Sequence, residues 1–204
     1  MYALVKDNSI SKIITNPKAM VIGDVRYPAK IFQLWSVSEL NAIGIYEVIT
    51  DSTNKKDEAY YINTNEQFDY ANNQVTRSWG TATPKRLEDE DAVDENGDPV
   101  LDDDGKQIIN YGLKTEKKRI VKQQASGLLE KTDWHNHKAL DDDTYTIPNN
   151  IKTYRAEVRA KSNEMESQID ACTNVDELKA LYEYTRQEDG TTTRPLAEFP
   201  KEVI

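Results

Sequence analysis

The chain is predicted to be an α+β protein, with strands gathered in its first part and helices in its last. Three observations carry that prediction. The first third alternates short β-branched and aromatic runs with Asn, Asp and Gly turns, the pattern of a mostly antiparallel β domain. From Leu113 onward, apolar residues recur every three or four positions, the period of helices that bury one face. Between them, the segment from Leu87 to Gly105 carries ten acids and neither Lys nor Arg, the composition of a solvated projection. The chain therefore divides into an N-terminal β-rich domain (1–87), an acidic hairpin arm (88–110) and a C-terminal helical region of two or three helices (111–204).

The elements follow in order. "YALV" and "SKIIT" flank the turn-forming "KDNS", and Gly23-Asp24 divides "AMVIGDVRYP" into a second hairpin. Ser36 and Glu39 are spaced as a capping box ahead of Leu40 and Ile43, so a short helix is expected there. Gly44 stops it, and Ile45–Ile49 reads as a strand. Asn72-Asn73 is the expected turn between the strands "QFDYA" and "QVTRSW". Leu113, Ile120, Val121, Ala125 and Leu128 mark one face of a helix ending near Lys131. Ile151, Tyr154, Val158, Met165, Ile169 and Cys172 form the seam of a second. Near-heptad in spacing, this seam is interrupted by Lys161 and Gln168, so it is expected to pack within its own chain rather than as a long coiled coil. Asn174 caps a third helix, "VDELKALYEY", with Glu177 as the box partner. The tail after it reads as loop, either an extended strap or a free end.

Composition narrows the function. Hydrophobic residues make up 37% and charged residues 30% of 204 positions, so the core is lean. Eleven Tyr against three Phe point to half-buried aromatic positions with a wet edge. The net charge is −10, and the segment from Leu87 to Gly105 holds all of the excess: outside it 26 acids face 26 bases. That balance lacks the basic footprint of a nucleic-acid binder. No run is apolar enough to cross a bilayer, and "MYALVKDNSISK" lacks the basic start and apolar stretch of a signal peptide, so no membrane insertion and cytoplasmic synthesis are expected. With Cys172 alone, no intrachain disulfide forms; on a helical pattern it reads as a small core residue.

Two motifs invite a metal. The arm contains a tandem octet, "DENGDPVL" (Asp94–Leu101) and "DDDGKQII" (Asp102–Ile109), with turn glycines and acids repeated in register. A calcium loop of the EF-hand type needs an acid first and a glycine sixth. Counting back from Gly97 or Gly105 places Ala92 or Val100 first, so the octets read as hairpins instead. His135-Asn136-His137 would set both imidazoles on one face of a strand, with Asp141, Asp142 and Asp143 to complete a shell, or three copies to surround an axis. The competing reading is a polar loop leaving a tryptophan-anchored helix end, and no metal or other cofactor is expected. No G-x-S-x-G, phosphate-binding Gly-rich loop or H-E-x-x-H occurs, and an enzyme is not expected.

The most specific feature is the pair "LLEKTDW" and "YRAEVR". With Leu129, Thr132, Asp133, Trp134, Pro148, Tyr154, Arg155, Val158 and Arg159 as its matching residues, it resembles a recurrent C-terminal pattern of bacteriophage tail fibre assembly proteins and related small tail-associated proteins. The resemblance spans about Leu113 to Leu181. "VIGDVRYPAKIFQLWSVSELNAIGIYEV" is in turn similar to a domain found at the start of phage tail-associated proteins. Here the loop is longer than in the family pattern, and its histidines and Asp141–Asp143 lie outside that pattern. The resemblance implies a non-enzymatic viral protein that binds a tail fibre or receptor-binding protein, as an assembly factor in the host cytoplasm or as a component retained in the virion tail. The alternative it leaves is a structural protein of the neck, baseplate or head surface. Self-association is a further expectation, because tail organelles are rotationally symmetric. Physically, Thr132 or Asp133 is expected to cap a backbone end. A buried Trp134 would pin the loop. Tyr154 and Val158 would face one side of the helix, with Arg155 and Arg159 on an adjacent one, either of them a natural partner for Asp133 across the joint.

Overall fold

The computed structural model describes residues 1–202. It has the α+β character expected, and it divides into two compact units, Met1–Pro84 and Lys85–Ile204. The acidic arm belongs with the helices.

In the first unit, β1 (Tyr2–Lys6) and β2 (Ser9–Ile14) form an antiparallel hairpin. Asp7 and Asn8 turn the chain with both φ values positive, the geometry two-residue hairpins need. β3 (Met20–Ile22) and β4 (Val25–Tyr27) pair across Gly23-Asp24. A single helical turn absent from the sequence reading, α1 (Ile31–Leu34), precedes α2 (Val37–Ala42). The capping box on α2 is complete: Ser36 N–H donates to Glu39 Oε2 at 2.7 Å, and Glu39 N–H donates to Ser36 Oγ at 3.3 Å. Gly44 follows at φ +80°, and a Cβ there would meet the Val5 carbonyl oxygen at 2.7 Å, so only glycine fits between the helix and β1.

β5 (Ile45–Thr50) then enters the sheet beside β1. β6 (Tyr61–Ile62) precedes the expected hairpin of β7 (Gln67–Ala71) and β8 (Gln74–Ser78), and pairs with β9 (Thr83–Pro84). The five-stranded sheet has the order β2-β1-β5-β8-β7. Its β5–β8 pairing is parallel and the rest are antiparallel. The alternation along β1 explains its two-sided burial. Leu4 joins Ile14, Ile31, Leu40 and Ile45 beneath the helices, while Ala3 and Val5 join Val75 on the opposite face. Within this unit, both described helices, α1 and α2, pack on the first face. The sheet itself curls until its edge strands β2 and β7 touch.

In the second unit, β10 (Glu90–Asp91) and β11 (Ile109–Asn110) close the base of the arm. That base is seated on the start of α3 (Leu113–Glu130). Leu113 and Lys114 donate their N–H groups to the carbonyls of Arg86 and Leu87, and Gly112 N–H donates to Asp89 Oδ1 at 2.8 Å. These contacts satisfy donors that a helix start leaves open, and they place a carboxylate at its positive end. They require a glycine at 112, because a Cβ there would lie 2.3 Å from the Glu88 carbonyl oxygen.

α3 continues through α4 (Asp133–Asp141) to α5 (Asn149–Ala171) and α6 (Val175–Ala180). α3 and α5 run antiparallel: Lys118 meets Asp170 at 2.7 Å and Lys122 meets Glu166 at 3.2 Å, while Arg155 reaches Leu129 at the other end. The buried positions of α5 include Ile151, Arg155, Val158, Ser162, Met165 and Ile169, a strict four-three alternation in which two members are polar. Asn174 caps α6 as expected, and Glu177 reaches back one residue further than a box requires, to the Thr173 N–H.

Of the two readings of the tail, the strap is the one observed. β12 (Thr185–Arg186) and β13 (Thr192–Thr193) form a small hairpin absent from the sequence reading. Leu196 is then buried to 2% exposure, its N–H donating to the Leu181 carbonyl. Gln168 holds the strap from both sides, donating to Pro195 O at 3.0 Å and accepting from Ala197 N–H at 2.8 Å.

Leu178 is fully buried. Leu178→Ala should lower the stability of the helical unit by about 2–5 kcal/mol in denaturant melts. Cys172 is buried, and burial pushes its thiol above the ordinary range. A thiol reagent should therefore label the native chain slowly and the denatured chain fast, as followed by mass spectrometry.

Candidate functional site

The residues of the "TDW…YRAEVR" pattern converge on the junction of α3, α4 and α5. α3 ends with carbonyls that have no intrahelical donors left. The carbonyl of Leu129 is met by Thr132 N–H at 3.0 Å, Thr132 Oγ1 at 2.9 Å and Arg155 Nη1 at 2.8 Å. The same Nη1 donates to Thr132 Oγ1 at 2.6 Å, and Arg155 Nη2 donates to Asp133 Oδ1 at 2.7 Å. One guanidinium on α5 thus ties the last turn of α3 to the first turn of α4. Its charge suits both ends, lying at the negative end of α3 and holding the carboxylate at the positive end of α4. Arg155 is 7% exposed and Thr132 5%, so the bond between them is made out of water, while the Asp133 carboxylate stays 45% exposed; together they use the fork geometry that a guanidinium supplies.

Of the alternatives expected, Thr132 is the residue that caps a backbone end, and the end is that of α3 rather than the start of α4. Of the two arginines, Arg155 partners Asp133, and Arg159 donates to the Arg155 carbonyl at 3.3 Å. Tyr154 and Val158 do share a face, packed with Ala125 and bordered by Leu128, Leu129 and Phe199 of the strap. The Tyr154 hydroxyl has no hydrogen-bond partner among the described residues, and burial pushes its pKa up.

The largest correction concerns Trp134. Its ring is 54% exposed rather than buried, so it does not pin the joint. The reason lies in the segment after it. The expected polar loop is the helix α4, and its inward face is taken by His135. The Trp134 ring lies flat on His135, with centroids 3.7 Å apart and an interplanar angle of 26°. His135 Nδ1 is bonded to the Tyr145 hydroxyl, and Lys138 sits 4.4 Å over the Tyr145 ring. Leu140, 80% exposed, also projects from α4.

The helix also changes the histidine reading. On a strand, His135 and His137 would share a face; on a helix, two residues separate them by roughly 200°. His135 is buried and His137 exposed, so the two imidazoles do not converge. Among the described residues, no group of three or more His, Cys, Asp or Glu side chains is placed to hold a metal ion. None of the described helices is long and apolar enough to cross a membrane. A cavity of about 590 Å³ is an open groove along α3 lined by Tyr111, Lys118, Arg119 and Lys122. Its cations are already engaged by Asp170, Glu116 and Glu166.

Sequence reasoning missed Tyr145, and it missed that Arg155 sits in the apolar seam. A signal for the second was present: Ile151, Arg155, Val158, Ser162, Met165 and Ile169 keep one heptad phase, which places Arg155 inward. No family model, curated protein or solved structure matches the chain.

Arg155→Ala should destabilise the helical unit by about 3 kcal/mol, because it removes three charge-assisted hydrogen bonds that tie α5 to α3 and α4 and leaves a void in the seam. Arg155→Lys should restore little of that loss, since an ammonium cannot span all three acceptors. Trp134→Ala should cost less than about 1 kcal/mol, because the ring is half in water. Thermal and denaturant melts of the three variants check this order, and a Trp134 variant less stable than the Arg155 variants would refute it.

Proposed function

We propose that this chain is a non-enzymatic bacteriophage tail protein that binds a tail fibre or receptor-binding protein. It does so as an assembly factor in the host cytoplasm or as a component kept in the virion tail. One observation carries the reading. The polar members of the tail-associated pattern, Thr132, Asp133 and Arg155, lock a helix joint, while its tryptophan is left to solvent on a braced ring. A Trp that contributes little to folding but stands rigid at the surface is the residue type most enriched at the centres of protein interfaces. The nine-residue α4 places it on the outside of the joint, with Leu140 on the same helix.

The decisive measurement is binding of the intact chain to the cognate fibre protein, by calorimetry and by co-elution. Trp134→Ala should weaken the complex at least about tenfold while leaving the melting temperature of the free chain in place. Mass spectrometry of purified particles then separates the two roles: a retained component is present in fixed ratio to the fibre, whereas an assembly factor is absent. A chain that neither binds the fibre nor co-purifies with particles would overturn the proposal.

A further inference from the structure

Two parts of the chain, one in each unit, carry opposite charges that are left unpaired. The first is the acidic arm, whose octets fold as two hairpins of one design. Asp94 Oδ1 accepts the N–H groups of Asn96 and Asp98, and Asp102 Oδ1 accepts those of Asp104 and Lys106 in the same way. Val93 bridges to Pro99 and Leu101 to Gln107. The strands close on one another through a ring of backbone bonds. Val100 N–H donates to Ala92 O at 2.9 Å, Ile108 N–H to Val100 O at 2.9 Å, and Ala92 N–H to Ile108 O at 2.8 Å. Ala92, Val100 and Ile108 lie eight residues apart, so the arm head is a triangle with near-threefold repetition. At the second hairpin Leu101 is 53% exposed and leads directly into Asp102, Asp103 and Asp104. The carboxylates of Asp103 and Asp104 have no hydrogen bond or ion pair among the described residues.

The second part lies in the β-rich unit. A hollow of about 400 Å³ opens between the end of β2 and the start of β3. Leu4 and Ile14, both buried, and Ile13 and Met20, both half-buried, give it an apolar lining. Leu4 and Ile14 also belong to the core beneath α1 and α2, so folding alone forms the floor of the hollow. Lys12 and Lys18 border it, both exposed. They are the two charged residues of the segment from Asn8 to Gly23, which holds no acid. Neither ammonium has a hydrogen bond or ion pair among the described residues, and neither do the side chains of Thr15 and Asn16 on the same border.

We propose that the hollow of one copy of this chain receives the second arm hairpin of another copy, with Leu101 against the apolar lining and Asp103 and Asp104 against Lys12 and Lys18. Charge complementarity selects the occupant. The hollow suits an apolar side chain flanked by anions, and "LDDD" at Leu101–Asp104 is that combination on an exposed turn. One contact between copies then pairs two sets of charges that each copy leaves open. The apolar part supplies contact, and the ion pairs supply register and steering. Arm and hollow are different surfaces, so copies join either reciprocally, as a two-fold dimer, or in sequence, as a ring or filament. The contact stands on these two surfaces alone, whatever the role of Trp134.

The test is sedimentation velocity of the full chain over a concentration series. The wild type should associate beyond one chain, and less so as salt rises. Two variants each remove one half of the contact. Lys12→Ser with Lys18→Ser strips the border of the hollow of its charge, and Leu101→Ser with Asp103→Ser and Asp104→Ser blunts the arm. Each alone should need at least about tenfold more protein to associate. Mixed in equal amounts, the two should form a complex of two chains and nothing larger, because the first keeps its arm and the second its hollow. Circular dichroism of both should match the wild type; if the arm variant loses structure, Asp103→Asn with Asp104→Asn takes its place. Trp134→Ala should associate as the wild type does, which separates this contact from the fibre-binding reading. A wild type that stays monomeric throughout, a variant that associates undiminished, or a mixture that stays monomeric or grows beyond two chains would overturn the proposal.

Discussion

The helical unit depends on where one positive charge is placed. Arg155 sits in the apolar seam of α5, where burying an unpaired guanidinium would cost several kcal/mol. The site tolerates it because three acceptors are brought to it, and each acceptor has its own reason to be there. The Leu129 carbonyl is an orphan of the end of α3, the Thr132 hydroxyl is held by that same carbonyl, and Asp133 opens α4. The guanidinium therefore sets the angle of three helices at once. An aliphatic side chain in its place would pack the seam but would leave α4 unaimed. Fixing one geometry among several is a use to which buried polar groups are put.

The charge of the chain is arranged by a similar separation of roles. Where acids meet a helix they are consumed locally: Glu88 pairs with Lys114 at 2.5 Å, and Asp89 takes Gly112 N–H and the Thr115 hydroxyl. Beyond that base, the arm holds its shape without a core. The ring of three backbone bonds and the Asp-capped turns take the place of apolar packing, which is why aliphatics there remain in water. The segment that looks least like folded structure in composition is thus ordered by backbone hydrogen bonding and by the side chains of Asp94, Asp102 and Gln107.

Local signals were legible in the sequence, and inter-element ones were not. The Ser36 box, the Asp7-Asn8 and Asn72-Asn73 turns and the Asn174 cap each involve residues a few positions apart, so spacing alone reveals them. The acidic octets were readable as hairpins for the same reason, but their closure into a triangle joins positions sixteen residues apart and leaves no local mark. α1, β6, β9 and the β12–β13 hairpin are too short for periodicity to register. At the site, the pattern located the right joint and paired Asp133 with an arginine of α5. It failed at Trp134 because a large aromatic reads as core by default. What displaced it is a histidine–tyrosine contact across ten residues, His135 with Tyr145, which no spacing rule announces.

The joint also decides how the exposed tryptophan is held. A nine-residue helix is marginal in water on its own. α4 persists because Asp133 is tied to Arg155 at its start and His135 is held by Tyr145 on its inner face. Trp134 lies between those two restraints, and the imidazole beneath it limits the ring's freedom without covering its outer face. An exposed indole on a flexible loop would lose rotamer freedom on binding, and that loss would be subtracted from whatever contact it made. Here much of the ordering is done during folding, by Asp133, Arg155, His135 and Tyr145. Arg155 maintains both the fold and the aim of Trp134, so under the proposed function its loss should weaken fibre binding even where folding survives. Loss of Trp134 should weaken that binding alone.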